Sequence, residues 1–370
     1  MINNLGHRIK NIINKEIFRK PFPQNLTVFL TERCNLRCAH CFICNKERKP
    51  RKEMPLENLL AVLSSADNMI ESLNITGGEP LVSNSFPKVF EFASRMTKLR
   101  RIGIFTNGME HEKLFRIFKE SGNKNKLYSI QTSLDGTEEI HNKLRGNDRS
   151  FSSVISLLDR IKNLQSNLGF TIALDIVMTV SRSNYAYIEK VIDIIGKYNG
   201  QCCLNFVRSS NQALLPDDKK SDFTTGGIDL TTEQIKAATK LWVSRAGSYM
   251  EDGSFLINKI RMENIIYFLD TGKWRFPCGA GLAEATMLSD GSIAICEMRS
   301  PVGNISDYGY NYERFWKAHR VRGFHKCYCM FDCAIAGSVF ESWAGRRILF
   351  VELLKRYFSR IFHRKTNRLT

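Results

Sequence analysis

Cys34, Cys38 and Cys41 stand as C-x3-C-x2-C in the segment LTERCNLRCAHCF. Soft thiolates at such close spacing suit an iron–sulfur cluster or zinc. Three is the telling number. A [4Fe–4S] cluster held by three cysteines leaves one iron open to a small molecule, whereas a structural zinc site is normally closed by four protein ligands. The motif directly follows an apolar run, Leu26 to Leu30, that reads as a strand.

Other residues able to do chemistry follow in a fixed order. Strand-like Leu73 to Thr76 runs into Gly77-Gly78-Glu79-Pro80, and Ile102 to Phe105 runs into Thr106-Asn107-Gly108. Leu127 to Thr132 then runs into Ser133-Leu134-Asp135-Gly136, followed by His141 and Arg145-Gly146. Each block lies at the C-terminal end of an expected strand, the edge where α/β barrels build their sites. With these residues in place, the chain resembles the radical SAM superfamily over roughly residues 26–210. The cysteine motif followed by Phe42 resembles its cluster-binding signature, and GGEP its segment that meets the amino group of S-adenosylmethionine (SAM). The Ser133 to Arg145 spacing is similar to that of the sulfatase-maturating and peptide-modifying branch.

The resemblance implies a role for each block. Cys34, Cys38 and Cys41 would hold three irons, and the fourth would take the amino and carboxylate groups of SAM. Electron transfer from a donor such as flavodoxin or ferredoxin would cleave SAM to a 5′-deoxyadenosyl radical that abstracts hydrogen from substrate. Glu79 is the expected acceptor for the SAM ammonium, with Gly77 and Gly78 permitting close backbone approach. Ser133 resembles the ribose contact and Arg145 the partner of the SAM carboxylate, a task suited to a planar two-pronged donor. Phe42 is expected near the adenine and Asn107 in the same cavity. Asp135, His141 and Arg208 are weaker candidates for touching substrate.

A second cysteine set lies near the C-terminus: Cys278, Cys296, Cys327, Cys329 and Cys333. Asp290-Gly291 between strand-like runs signals a hairpin that brings Cys296 back towards Cys278. Cys278, Gly291, Cys296 and Gly303-Asn304 resemble the opening of SPASM and Twitch modules, although the closing C-x-C-x3-C is not their usual spacing. Five thiols cannot complete two four-thiolate clusters, so the expectation is one auxiliary [4Fe–4S] cluster, with a structural zinc site as the alternative. Cys44, Cys202 and Cys203 read as buried apolar residues rather than ligands.

The elements that must position these residues alternate strand and helix. Helices are expected at 56–72, 85–97, 110–121, 150–166 and 185–198, with further strands at Thr171 to Val180 and Cys202 to Val207. Such alternation argues for a parallel sheet with right-handed crossovers. The fold class is therefore α/β: a partial (β/α)6 TIM-like barrel, with a C-terminal cysteine-rich SPASM/Twitch-like module. The expected divisions are a basic N-terminal helix (1–25), the barrel (26–215), bridging helices (216–271), the auxiliary module (272–345) and a basic amphipathic tail (346–370).

Composition bounds the rest. The chain has 370 residues and a net charge of +17. Residues 1–20 carry five Lys and Arg against Glu16, and residues 346–370 carry eight against Glu352. The two ends thus hold +4 and +7, leaving a body too weakly basic for a nucleic-acid footprint, and no nucleic-acid motif is present. No apolar run approaches the ~20 residues of a membrane span, and the first twenty residues lack the apolar core of a signal peptide. Eleven cysteines then point to metal ligation in a reducing cytoplasm. In the tail, Phe350, Leu353, Leu354, Tyr357, Phe358 and Ile361 recur at helical spacing among arginines. Such a helix either packs on the barrel or touches an anionic membrane surface. For the substrate, the first strand at residue 26 leaves little room for a leader-binding domain. That tilts the expectation towards a small molecule or carbohydrate, with a peptide as the alternative and a non-enzymatic metal-binding scaffold as the contrasting class.

Overall fold

The computed structural model describes residues 22–43, 52–198, 200–207, 230–246, 253–323 and 335–366. Six strands form a parallel sheet in chain order: β1 (Asn25–Phe29), β2 (Ser72–Thr76), β3 (Arg101–Phe105), β4 (Leu127–Ser133), β5 (Thr171–Val180) and β6 (Gln201–Phe206). Alternation explains them. Leu26, Val28, Leu73, Ile75, Ile102, Ile104, Ile130, Ile176 and Leu204 are buried in one apolar core. The intervening positions carry Thr27, Asn74, Gly103, Ser129 and Asp175. The residues alternate because successive strand side chains face opposite sides of the sheet. Some of the polar positions bond across strands: Asn74 Nδ2 donates to Thr27 Oγ1 (3.2 Å) and Ser129 Oγ to Asp175 Oδ2 (2.7 Å).

Between the strands run α1 (Leu56–Ala66), α2 (Phe86–Arg95), α3 (His111–Ser121), α4 (Glu138–Arg145), α5 (Ser150–Leu168) and α6 (Ile188–Gly196). Their buried residues recur at helical spacing, as with Leu59, Val62, Leu63 and Ala66 on α1. The expected first helix ends at Ala66 rather than residue 72, with buried Met69 and Ile70 continuing into the turn before β2.

Two longer helices follow, α7 (Thr232–Ala246) and α8 (Gly253–Thr271). Trp242 on α7 donates its indole N–H to the Cys202 carbonyl (3.0 Å), and Arg261 on α8 donates to the Leu204 carbonyl (2.9 Å) and Asn205 Oδ1 (3.0 Å). Both helices are thereby fastened to β6. The expected hairpin forms as β7 (Glu284–Met287) and β8 (Ser292–Ala294), followed by the short β9 (Gly303–Asn304). Its attachment was not legible in the sequence: β7 pairs parallel to β1, so one nine-stranded sheet runs β6-β5-β4-β3-β2-β1-β7-β8-β9. After α9 (Tyr312–Ala318) come α10 (Ile335–Glu341) and α11 (Trp343–Thr366). Leu256 and Ile260 of α8, Phe276, Val339 of α10 and Leu349 of α11 form a second, smaller core.

Candidate functional site

The loops leaving β1 to β5 meet at the C-terminal edge of the sheet, and the cysteine loop is fixed there by backbone. Gly78 N–H donates to the Thr31 carbonyl (2.8 Å) and Glu79 N–H to the Arg33 carbonyl (2.9 Å). A Cβ at Gly77 (φ +151°) would fall 2.3 Å from the Thr31 oxygen, and one at Gly78 2.3 Å from the Arg33 oxygen. GGEP therefore presses its backbone onto the strand-to-cysteine connection, and only glycine allows that approach. On the other side, Ala39 N–H donates to the Leu144 carbonyl at the end of α4 (2.9 Å).

Glu79 is fully buried, and three protein donors occupy its carboxylate: Asn107 N–H (2.7 Å), Thr106 hydroxyl (2.9 Å) and Leu81 N–H (3.1 Å). Burial pushes its pKa up to about 7 despite those donors. The side chain locks the end of β2 to the end of β3, and GGEP faces the cysteine loop with its backbone. Asn107 sits beside that loop, donating to Asn35 Oδ1 (2.8 Å) and to Cys34 Sγ (3.6 Å). Leu36 N–H also reaches Cys34 Sγ (3.4 Å).

A buried polar cluster closes the other flank. Arg145 lies one helical turn from His141 on α4, so both approach Asp135 at the end of β4. Arg145 Nε and Nη2 bind Asp135 Oδ2 at 2.6 and 2.5 Å, and Nη1 points at Cys38 Sγ (3.6 Å). Thr179 N–H donates to Asp135 Oδ1 (2.9 Å), and Asn184 Nδ2 bridges the Asp135 and Thr179 carbonyls. Burial works against the charge of Arg145, but Asp135 and Cys38 beside it raise its pKa overall. Burial pushes the Asp135 carboxyl up, but Arg145, the neighbouring histidines and the Thr179 N–H together hold it below the usual carboxylate range. Burial pushes the Cys38 thiol up, against the pull of Arg145. His141 Nδ1 accepts from Asp135 N–H (3.0 Å), and burial lowers both His141 and His40 to about 4, keeping them neutral. His40 Nε2 lies 3.7 Å from Asp135 Oδ2, while His40 Nδ1 and His141 Nε2 are buried without a hydrogen-bond partner.

Most of the expected residues therefore share one edge. Gly77, Gly78, Glu79, Asn107 and Arg145 surround the cysteine loop directly. Ser133 is half-buried at the end of β4, and Phe42 packs partly buried on the main core. The Arg145 guanidinium is taken up by Asp135 and turned to Cys38, and the Glu79 carboxylate is filled by protein donors. Sequence reasoning gave Asp135 only a weak role towards substrate and overlooked His40 and Asn184. The spacing of Asp135, His141 and Arg145 held the signal, since the last two are one turn apart.

The residues fit a [4Fe–4S] cluster. Three thiols come from one short loop, side-chain and backbone N–H donors point at two of the sulfurs, and such donors stabilise ligating thiolates. Among the described residues, no three Cys, His, Asp or Glu side chains gather tightly enough for a single metal ion. In the C-terminal region, Cys278 and Cys296 are buried in the main core. A Cβ on Gly281 would fall 2.9 Å from Ile295, so the hairpin does draw the two segments together. Cys44, Cys327, Cys329, Cys333 and Arg208 lie outside the described residues.

Residues 28–195 match the Radical SAM superfamily. Among curated relatives, the sporulation killing factor maturation protein SkfB of Bacillus subtilis is 24% identical over 172 residues, covering 46% of this chain and 39% of that protein. The mycofactocin maturase MftC of Mycolicibacterium smegmatis is 29% identical over 197 residues, covering 51% and 46%. The chain thus spans less than half the length of either. Among solved structures, anSMEcpe with bound AdoMet and Cp18Cys peptide superposes with a TM-score of 0.57 at 16% identity, covering 91% of this chain and 98% of that one. That likeness bears out the α/β partial-barrel fold. The radical SAM match runs from within β1 to α6, across β2 to β5, and takes in the cysteine loop, GGEP and α4.

Proposed function

We propose that the chain is a radical SAM enzyme that modifies a peptide. One observation carries the first half: the loop bearing Cys34, Cys38 and Cys41 is pinned by GGEP and tended by Asn107 and Arg145 at the edge where barrels build their sites. When bound, the cluster and SAM supply one-electron cleavage to a hydrogen-abstracting 5′-deoxyadenosyl radical; the protein contributes binding, orientation and exclusion of water. Cys34, Cys38 and Cys41 would hold the cluster. Asn107 and Arg145 stabilise charge on the sulfurs of Cys34 and Cys38. Gly77 and Gly78 offer backbone to the SAM amino group, and Ser133 offers its hydroxyl to the ribose. Asp135 fixes the guanidinium, and His40 and His141 stay neutral beside it.

The peptide half rests on the relatives. SkfB and MftC are maturation proteins by name, and the anSMEcpe neighbour holds a peptide. They favour the peptide alternative over the small-molecule or carbohydrate expectation. An auxiliary [4Fe–4S] cluster held by four of Cys278, Cys296, Cys327, Cys329 and Cys333 completes the reading, with flavodoxin or ferredoxin as donor.

Anaerobic reconstitution with iron and sulfide, then reductant and SAM, tests the proposal. The protein should show the absorbance and EPR of a reduced cluster that change on adding SAM, and should release 5′-deoxyadenosine. Absence of SAM-dependent spectral change in cluster-loaded protein would overturn the radical SAM reading. Product release accelerated by small-molecule alcohols but not by any peptide encoded beside the gene would overturn the peptide half.

A further inference from the structure

Helix α11 (Trp343–Thr366) carries two apolar faces, and among the described residues only one is covered. Leu349 is buried in the small core, where Ile348 and Leu353 pack beside it. Glu352 on the same side is buried and held by Lys259 (2.6 Å) and Lys355 (2.7 Å). On the opposite side, Trp343 is 68% exposed, Phe350 51%, Val351 42% and Leu354 39%. Positions 343, 347, 350 and 354 follow the i, i+4, i+7, i+11 spacing of one helical stripe. Arg347, the member at 347, lies over the Trp343 ring (5.8 Å). Phe340 at the end of α10 is also 37% exposed. Of the apolar positions that helical spacing marks on the tail, Phe350 and Leu354 face solvent among the described residues, and Leu353 packs on the small core.

We infer that this stripe is the contact by which the protein lies on an anionic lipid surface. Large apolar side chains left in water along a basic helix are the signature of interfacial helices, with aromatic and aliphatic residues entering the headgroup boundary and Lys or Arg binding anionic lipid. Charge selects this occupant over the others. Residues 346–370 carry +7, and Glu352, the acid among them, is buried and paired. A second copy would bring another +7 to the stripe, and residues 1–20 of the same chain would bring +4. Both meet like charge, whereas an anionic bilayer meets opposite charge. No described helix is long and apolar enough to cross a membrane, so the contact lies on the surface. The inference is independent of the chemistry proposed for the cysteine loop.

Trp343 supplies a direct readout. The chain has four tryptophans, and Trp242 and Trp316 are buried. Full-length protein mixed with vesicles of 30% phosphatidylserine in phosphatidylcholine should sediment with them and show a blue-shifted tryptophan emission. Neither should occur with phosphatidylcholine alone, and both should fade at high salt. Trp343→Phe should remove the shift and retain sedimentation. Phe350→Asp with Leu354→Asp, on solvent-facing positions, should lower partitioning at least tenfold with circular dichroism and iron content unchanged. Equal partitioning of this double variant, or equal binding to neutral vesicles, would overturn the proposal. So would a monomer–dimer equilibrium without lipid that the double variant abolishes, which would assign the stripe to a second copy. Cross-links between residues 1–20 and the stripe in lipid-free protein would also overturn it.

Discussion

The two cysteine regions differ in how the surrounding protein treats sulfur. Around Cys34 and Cys38 the protein places polar groups: Asn107 and Leu36 N–H reach one sulfur, and Arg145, anchored by buried Asp135, reaches the other. Cys278 and Cys296 lie in the main core with Ile293, Ile295 and Met298. Thiolates are costly in apolar surroundings unless a metal takes their charge. The difference teaches that the first loop is arranged to hold and influence a charged centre that meets a ligand. The second, as the proposed site of an auxiliary cluster, would bury its centre among apolar side chains.

The largest expected effect breaks that comparison directly. Replacing Cys34, Cys38 and Cys41 with Ala should remove about four irons, one cluster's worth, and abolish SAM cleavage, while unfolding by heat or denaturant changes little. Replacing Cys278 and Cys296 should also remove about four irons but lower the thermal midpoint sharply, because these side chains belong to the core. Iron analysis and calorimetry on anaerobic protein separate the two. Equal stability losses in both variants would erase the distinction.

Next in size is the buried pair. Arg145→Ala leaves the Asp135 carboxylate buried without its cation, at a cost on the order of 3–5 kcal/mol. Asp135→Asn strands the guanidinium beside Cys38 at similar cost, and the double change to a neutral pair should recover much of the loss. Chemical denaturation of metal-free protein measures this. Changes below about 1 kcal/mol would mean that the pair is solvated in solution.

Glu79 should show a smaller effect with a definite pH sign. Its three partners are all donors, so Glu79→Gln turns an amide N–H2 towards a donor and should cost roughly 1–3 kcal/mol. Burial raises its folded pKa from an ordinary 4.5 to about 7. A raised carboxylate pKa favours the folded state most below pH 4.5, and that contribution is lost as pH rises through 7. Metal-free wild type should therefore lose stability across this window more steeply than Glu79→Gln. A steeper slope in the variant would reverse the assignment.

The sequence made the barrel legible because its signals are local. Alternation in Leu26 to Leu30 and Thr171 to Val180, and helical spacing in residues 56–66, each specify an element without knowledge of the rest. The cysteine loop, GGEP and Asn107 were legible for the same reason, since spacing along the chain placed them at strand ends. Pairings set across the fold were not. The parallel pairing of β7 with β1 joins Asn25 to Glu284, far apart in sequence. The capture of Arg145 by Asp135 depends on how α4 returns over β4, which spacing along the chain does not encode. Likewise, helical spacing marked Leu353 and Leu354 alike, and only packing against α8 and α10 tells which side is covered.

The smallest effect comes from a third kind of cysteine. Cys202 lies fully buried in β6, opposite Ile176 of β5, and its carbonyl accepts the Trp242 indole N–H. The backbone makes that bond, so Cys202→Ala keeps it and loses the packing of one sulfur. Free cysteine in a core behaves as a small hydrophobe, and shortening such a side chain costs on the order of 1 kcal/mol. Iron content, SAM-induced spectral change and the reduced-cluster EPR signal should all match wild type, with only a slightly lower denaturant midpoint. If Cys202→Ala lost iron instead, burial among apolar residues would no longer separate packing thiols from ligating ones, and the ligand assignment of Cys278 and Cys296 would lose its contrast.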